Sequence, residues 1–279
     1  MSLDDKHRAL RDCLRQLDSV LVAFSGGVDS TFLVKVAHET LGARAVAVTA
    51  RSPTYPRAMA EQADALGKQV GIRHEWVDSE QMARPEFVGN PADRCYHCKS
   101  ELFERLEPLR HALDLRWIAE GTNVDDLSDH RPGLAAARER GVQSPLVDAG
   151  LTKADIRALS RGLGLPTWDQ PASPCLSSRF PTGVAITVDR LTQVDRAEAW
   201  LRAKGFRECR VRYHGEIARI EVGTDEMARL LDPVLRVEVT AALRALGFRY
   251  VALDLSGFRS GSLSRPDESA IPARMIPSP

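Results

Sequence analysis

No stretch of this chain approaches the ~18 consecutive apolar residues of a membrane span, which excludes a transmembrane helix. Nor does the amino terminus, Met1-Ser2-Leu3-Asp4-Asp5-Lys6, carry a signal-peptide pattern, so a cytoplasmic location is expected. Net charge is also missing: 38 Lys plus Arg balance 38 Asp plus Glu, leaving no global field for nucleic acid or an acidic membrane. There is no internal repeat. Cysteine is sparse, five residues in all, which excludes a disulfide framework in a cytosolic chain; each thiol is core, metal ligand or reactive group. What is present is a chain of 279 residues with 43% hydrophobic content, enough for one large or two ordinary domains.

Apolar strands and amphipathic helices alternate from residue 20: strand 20–24, helix 30–41, strand 44–49, helix 57–70, strand 73–77, then strand 115–120. Such alternation predicts an α/β doubly wound parallel sheet covered on both faces. Between the first strand and its helix lies Ser25-Gly26-Gly27-Val28-Asp29-Ser30-Thr31. Two glycines let successive N–H groups converge on one anion. Hydroxyls from Ser25, Ser30 and Thr31 add donors, and the helix presents its positive end. A mononucleotide P-loop needs G-x-x-x-x-G-K-[ST], and this loop lacks both the spacing and the lysine. It resembles the SGGxDS loop of the PP-loop ATP pyrophosphatases (the adenine nucleotide alpha-hydrolase-like fold), which implies ATP as cosubstrate and Mg²⁺ held with the help of Asp29. Strand 115–120 runs into Gly121-Thr122-Asn123-Val124-Asp125, a polar turn at the end of a strand where α/β sheets bind ligands.

Prolines crowd residues 164–183, where the composition changes and a domain boundary is expected. The expected organisation is a 1–170 PP-loop ATP pyrophosphatase domain, a 171–183 linker carrying Cys175, a smaller 184–263 C-terminal α+β domain and a 264–279 tail. Helices near 189–204 and 234–246 and strands near 209–213, 217–222 and 249–255 make up the small domain.

Cys13 shares a helical stripe with Leu10, Leu14 and Leu17, and Cys209 alternates with Val211 and Tyr213, so both read as structural. Cys95 and Cys98 form a C-x-x-C just before a helix, and Cys175 lies in the linker with Arg179 four residues on. Zinc, a redox pair, an iron–sulfur cluster and chance are all compatible with one C-x-x-C. No second C-x-x-C completes a four-ligand zinc site, and His97 inside the motif is badly placed to share its metal. Three thiolates leaving one iron open suit a 4Fe–4S cluster. Arg179 near Cys175 favours its thiolate and a reactive role. On strand 209–214, Arg210, Arg212 and His214 share one face, and paired guanidinium groups suit a phosphate.

Taken together, SGGVDST, NPADRCYHCK, EGTNVDD, SPCLSSRFPTG, RVRYHGEIARIEV and YVALDLSGFRSGSL resemble the ATP-dependent sacrificial sulfur transferase LarE family over residues 15–263. Members adenylate a carboxylate of pyridinium-3,5-biscarboxylic acid mononucleotide and convert it to a thiocarboxylate for the nickel-pincer cofactor of lactate racemase. The resemblance implies ATP at Ser25, Gly26, Gly27, Asp29, Ser30, Thr31, Gly121, Thr122, Asn123 and Asp125. It implies catalysis by Asp29 and by Cys175, which in sacrificial members attacks the acyl adenylate and surrenders its sulfur. In three-cysteine members the equivalents of Cys95, Cys98 and Cys175 are cluster ligands, and the two roles of Cys175 exclude each other. Substrate phosphate is assigned to Arg179, Arg210 and Arg212. A homo-oligomer and other nickel-pincer cofactor biosynthesis proteins as partners follow from the same resemblance. The nearest alternatives are a PP-loop tRNA thiolation enzyme, which needs an extensive basic surface and is disfavoured by a net charge of zero, and an amide-forming GMP or NAD synthetase-like ligase, for which the cysteines would be superfluous.

Overall fold

The computed structural model of the protein describes residues 1–128, 132–171 and 174–259; the expected tail at 264–279 lies outside the described residues. The elements run α1 (Leu3–Leu17), β1 (Val20–Ala23), α2 (Val28–Leu41), β2 (Ala45–Arg51), α3 (Arg57–Val70), β3 (Arg73–Asp78), α4 (Pro85–Val88) and α5 (Arg94–Ala112). They continue with β4 (Trp117–Ala119), α6 (Pro132–Glu139), α7 (Pro145–Asp148), α8 (Lys153–Gly162), α9 (Val188–Ala203), β5 (Cys209–His214), β6 (Ile217–Val222), α10 (Pro233–Ala245) and β7 (Tyr250–Leu253). None of the described helices is long and apolar enough to cross a membrane. The chain divides into two compact units, Met1–Leu176 and Ser177–Pro279.

In the first unit four parallel strands pair in the order β3-β2-β1-β4, with Val20 opposite Ala45 on one side and Trp117 on the other. Side chains alternate across a strand, so each face of the sheet collects its own core. Val20, Val22, Ala45 and Ala47 pack with Leu10, Leu14, Phe32, Val36, Leu66 and Ile156 from α1, α2, α3 and α8. Leu21, Val46 and Val48 pack on the opposite face with Phe103, Leu106 and Ala137 from α5 and α6. Each wholly buried Leu or Phe contributes roughly 1.5–3 kcal/mol. Helices on both faces make the sheet doubly wound, as the alternation predicts. Sequence order reverses between β1 and β4, which opens a crevice at their carboxyl ends.

Local chemistry fixes the helix starts. Ser2 and Asp5 form a capping box on α1, and Thr152 and Asp155 form another on α8. Lys6 of α1 reaches Asp155 at 2.5 Å and joins the two helix starts.

The second unit is a three-stranded sheet, β5-β6-β7, with β5 and β6 antiparallel and β6 and β7 parallel. Leu191, Val194 and Leu201 of α9 are buried, as the spacing predicts.

Candidate active site

The Ser25–Ser30 turn leaves β1 and enters α2 at the crevice. Gly26 adopts φ +66°, and a Cβ there would meet Ala63 of α3 at 3.4 Å. Ser30 closes the loop on itself: its hydroxyl donates to the Gly27 carbonyl (3.2 Å) and accepts from the Ser25 N–H (3.2 Å). Two side chains from the following α/β segment seize the loop from behind. The Tyr55 hydroxyl donates to the Ser25 carbonyl at 2.7 Å, and Gln62 Nε2 donates to the Gly26 carbonyl at 3.1 Å. In a trans peptide C=O and N–H point in opposite directions, so pinning these carbonyls turns the Gly26 and Gly27 N–H groups the other way. With the unpaired first-turn donors of α2 they form a cradle for phosphate. Thr31 is wholly buried, and its hydroxyl has no hydrogen-bond partner among the described residues.

Asp29 opens the first turn of α2 and pairs with Lys153 Nζ from the first turn of α8. Burial pushes its carboxyl above the usual Asp range, against the pull of Lys153. Its second oxygen, Oδ1, is buried with no hydrogen-bond partner among the described residues. An orphaned carboxylate oxygen beside a phosphate cradle suits a Mg²⁺ ion.

The polar turn after β4 faces the same loop. A Cβ on Gly121 would stand 3.0 Å from the Ser30 nitrogen, so only glycine allows this approach. Thr122 donates to Glu120 (2.7 Å), which also pairs with Lys99; the Asp125 N–H bonds Asn123 Oδ1 (2.9 Å), and Asp125 accepts from the Lys153 N–H (2.8 Å). A groove of about 270 Å³ beside the turn is lined by Glu120, Thr122, Leu127, Gln143 and Ser144, among others.

Cys95 and Cys98 lie one turn apart on α5. Buried Glu101 ties that helix to the end of β3 by accepting from Ser79 Oγ (2.8 Å) and the Glu80 N–H (2.7 Å). The Cys98 thiol donates to Gln81 Oε1 at 3.0 Å. Gln81 in turn donates to Thr54 Oγ1 at 2.7 Å, and the Thr54 carbonyl accepts the Leu176 N–H at 2.8 Å, next to Cys175. Burial, then the nearby Cys175 and Cys95, push the Cys98 thiol up to about 12. Among the described residues, however, no three His, Cys, Asp or Glu side chains are gathered closely enough to hold a metal ion. Cys209 is buried, while Cys13 is half-buried near Asp148 rather than fully in the core.

Arg179, Arg210 and Arg212 all belong to the second unit. The cationic sheet face expected from the strand pattern is instead a buried ion-pair network. Arg179 grips Glu198 with two bonds of 2.8 and 2.9 Å, and Arg212 reaches Glu221 at 2.7 Å. Burial opposes the charge on Glu198, yet Arg179 and Arg210 hold its carboxyl below the usual range. Burial, then Arg179, lower Arg210 to about 10.

No family model matches the chain. A pyridinium-3,5-bisthiocarboxylic acid mononucleotide synthase of Lactiplantibacillus plantarum is 38% identical over 264 residues, covering 94% of this chain and 95% of that protein. The chain belongs to the LarE family. Another relative at LarE-like coverage, an uncharacterised protein of Synechocystis, is 46% identical over 94% of this chain and 98% of its own length. A GMP synthase of Aeropyrum pernix matches more distantly, 28% identical over 65% of this chain and 39% of its own length, in keeping with a PP-loop fold.

Sequence reasoning missed Lys153, Tyr55 and Gln62. Lys153 had a signal, the first turn of a helix begun by the capping pair Thr152 and Asp155. Tyr55 and Gln62 had none, since 30 and 36 residues separate them from the carbonyls they hold.

Proposed function

We infer that this chain adenylates a carboxylate of pyridinium-3,5-biscarboxylic acid mononucleotide with ATP and replaces one carboxylate oxygen by sulfur, making the thiocarboxylate of the nickel-pincer cofactor of lactate racemase. One observation carries the reading: in a LarE-family chain, a phosphate cradle and the thiols of Cys95, Cys98 and Cys175 belong to the same folded unit.

A substrate carboxylate oxygen bonds to the α-phosphorus of ATP, the bond to the bridging oxygen breaks, and pyrophosphate leaves. The Gly26 and Gly27 N–H groups, with the start of α2, hold the departing phosphates. Asp29 Oδ1 is the atom suited to hold Mg²⁺, which when bound neutralises phosphate charge. Sulfur then bonds to the acyl carbon and AMP departs with the former carboxylate oxygen. Presenting both partners in one site supplies up to ~7 kcal/mol through effective concentration. Arg179, Arg210 and Arg212 take the mononucleotide phosphate in this reading. It is supported by the presence of three buried guanidinium groups in one unit.

Three thiols in one unit have the chemistry of cluster ligands, although the described residues are not gathered closely enough to hold a metal; Cys95, Cys98 and Cys175 would hold a 4Fe–4S cluster, which when bound would supply sulfide. In the sacrificial form the Cys175 Sγ itself bonds to the acyl carbon. Loss of the Cα proton then breaks the Cβ–Sγ bond and leaves dehydroalanine on the chain. A cytoplasmic homo-oligomer that works with other nickel-pincer cofactor biosynthesis proteins completes the proposal. Anaerobic purification with iron and sulfide analysis tests the sulfur source: about four irons per chain, lost in Cys95→Ala, Cys98→Ala and Cys175→Ala, are expected. Iron-free protein that gains dehydroalanine at Cys175 during turnover would overturn the cluster in favour of the sacrificial route.

A further inference from the structure

Gln62 does more than hold the phosphate loop. The Gly26 carbonyl can only accept, so Gln62 must turn its NH₂ toward it. The second N–H of that group then meets Gln170 Oε1 at 2.8 Å, and Gln170 Nε2 returns a bond to Gln62 Oε1 at 3.2 Å. The two amides form a closed reciprocal pair, with Gln170 also against Met59 Sδ at 3.7 Å.

Gln170 lies five residues before Cys175, and its backbone is held from the other side. Arg157 of α8 donates to the Trp168 carbonyl (2.7 Å) and the Gln170 carbonyl (2.8 Å). That helix begins with Lys153, the partner of Asp29. Both ends of the phosphate loop therefore lead to Gln170: Gly26 through Gln62, and Asp29 through Lys153 and Arg157. On the far side of Cys175, the Leu176 N–H is bonded to the Thr54 carbonyl, one residue before Tyr55, which holds the Ser25 carbonyl. Gln170 and Leu176, which flank Cys175 in the sequence, are thus each bonded to residues that lead to the phosphate cradle.

We propose that Gln62 and Gln170 are positioning residues that fix Cys175 relative to the phosphate loop, so that filling the loop with ATP stiffens the Cys175 segment. The proposal rests on the reading of this loop as an ATP site. It assigns no chemistry to either amide. Their task is to transmit order from a bound phosphate to the segment from which sulfur is delivered. Binding that rigidifies one part of a packed network lowers the motion of the parts bonded to it.

The test, on protein freed of iron by a chelator so that Cys175 carries a free thiol, is the rate at which iodoacetamide alkylates Cys175, read by peptide mass spectrometry with and without MgATP, next to the Kd for MgATP by calorimetry. In the wild type MgATP slows alkylation about fivefold or more. In Gln170→Ala the Kd stays within about twofold while the slowing disappears, because the cradle is intact and only its tie to the Cys175 segment is cut. Gln62→Leu loses the slowing and also weakens MgATP binding, since the Gly26 carbonyl loses its donor. Gln170→Glu keeps the acceptor for Gln62 and retains the slowing, which separates loss of the tie from loss of the fold. Equal slowing in the wild type and Gln170→Ala means that ATP shields Cys175 directly, and overturns the proposal. So does a wild type that binds MgATP with no change at Cys175. A wild type with no MgATP affinity overturns the underlying ATP reading instead, and is distinguished by the calorimetry.

Discussion

Asp29 holds a buried charge at the expense of the empty fold. Desolvation raises its carboxyl, Lys153 only partly compensates, and Oδ1 has no partner among the described residues. A carboxyl whose pKa is raised by folding favours the folded state below its unfolded pKa, and that contribution is lost as pH rises through the folded value. At neutral pH ionised Asp29 therefore destabilises the nucleotide-free chain. Asp29→Asn is expected to raise the Tm of that chain by about 2 °C or more and to slow substrate-dependent ATP–pyrophosphate exchange about a hundredfold. Calorimetry and the exchange assay check both; a lowered Tm contradicts the electrostatic account.

At the scale of elements, α8 organises the first unit. Its start carries Lys153 toward Asp29, its capping box fixes the backbone there, and Lys6 ties Asp155 to α1. Lys6, then the Thr152 N–H, lower Asp155 from 3.8 to about 2. A depressed carboxyl pKa stabilises above the unfolded value and loses that contribution as pH falls toward the folded one. Asp155→Asn is expected to cost about 1–2 kcal/mol in urea unfolding at pH 7, with the difference from wild type narrowing below about pH 4. A difference that stays constant with pH contradicts the ion-pair and cap assignment. Elements were the most legible level of the sequence. Apolar period placed β1, α2, β2, α3 and β3 within a few residues, because burial against a two-sided sheet imposes that period on each element separately. Charge partners were not legible. Arg210 and Arg212 stand on a strand face that reads as cationic and suited to a phosphate, and only the packing of α9 and β6 brings Glu198 and Glu221 against the arginines of this unit.

Over the whole molecule, the motifs pointed to ATP and to sulfur, and the fold explains why the ATP motif stands at the crevice where sequence order reverses in the sheet. What the motifs did not contain was the scaffold behind them: Tyr55 and Gln62 act on backbone carbonyls and Gln170 through the Gln62 side chain, and such roles leave no residue pattern. The central claim is that a substrate carboxylate is adenylated and then thiolated by this chain. The most direct measurement is to incubate the anaerobically purified protein with MgATP and pyridinium-3,5-biscarboxylic acid mononucleotide, and to follow AMP, ADP and pyrophosphate together with the mass of the product. The account predicts AMP and pyrophosphate in equal amounts only when the carboxylate substrate is present, with a product in which one oxygen is replaced by sulfur. ADP and phosphate in their place, or AMP release indifferent to the substrate, would contradict it.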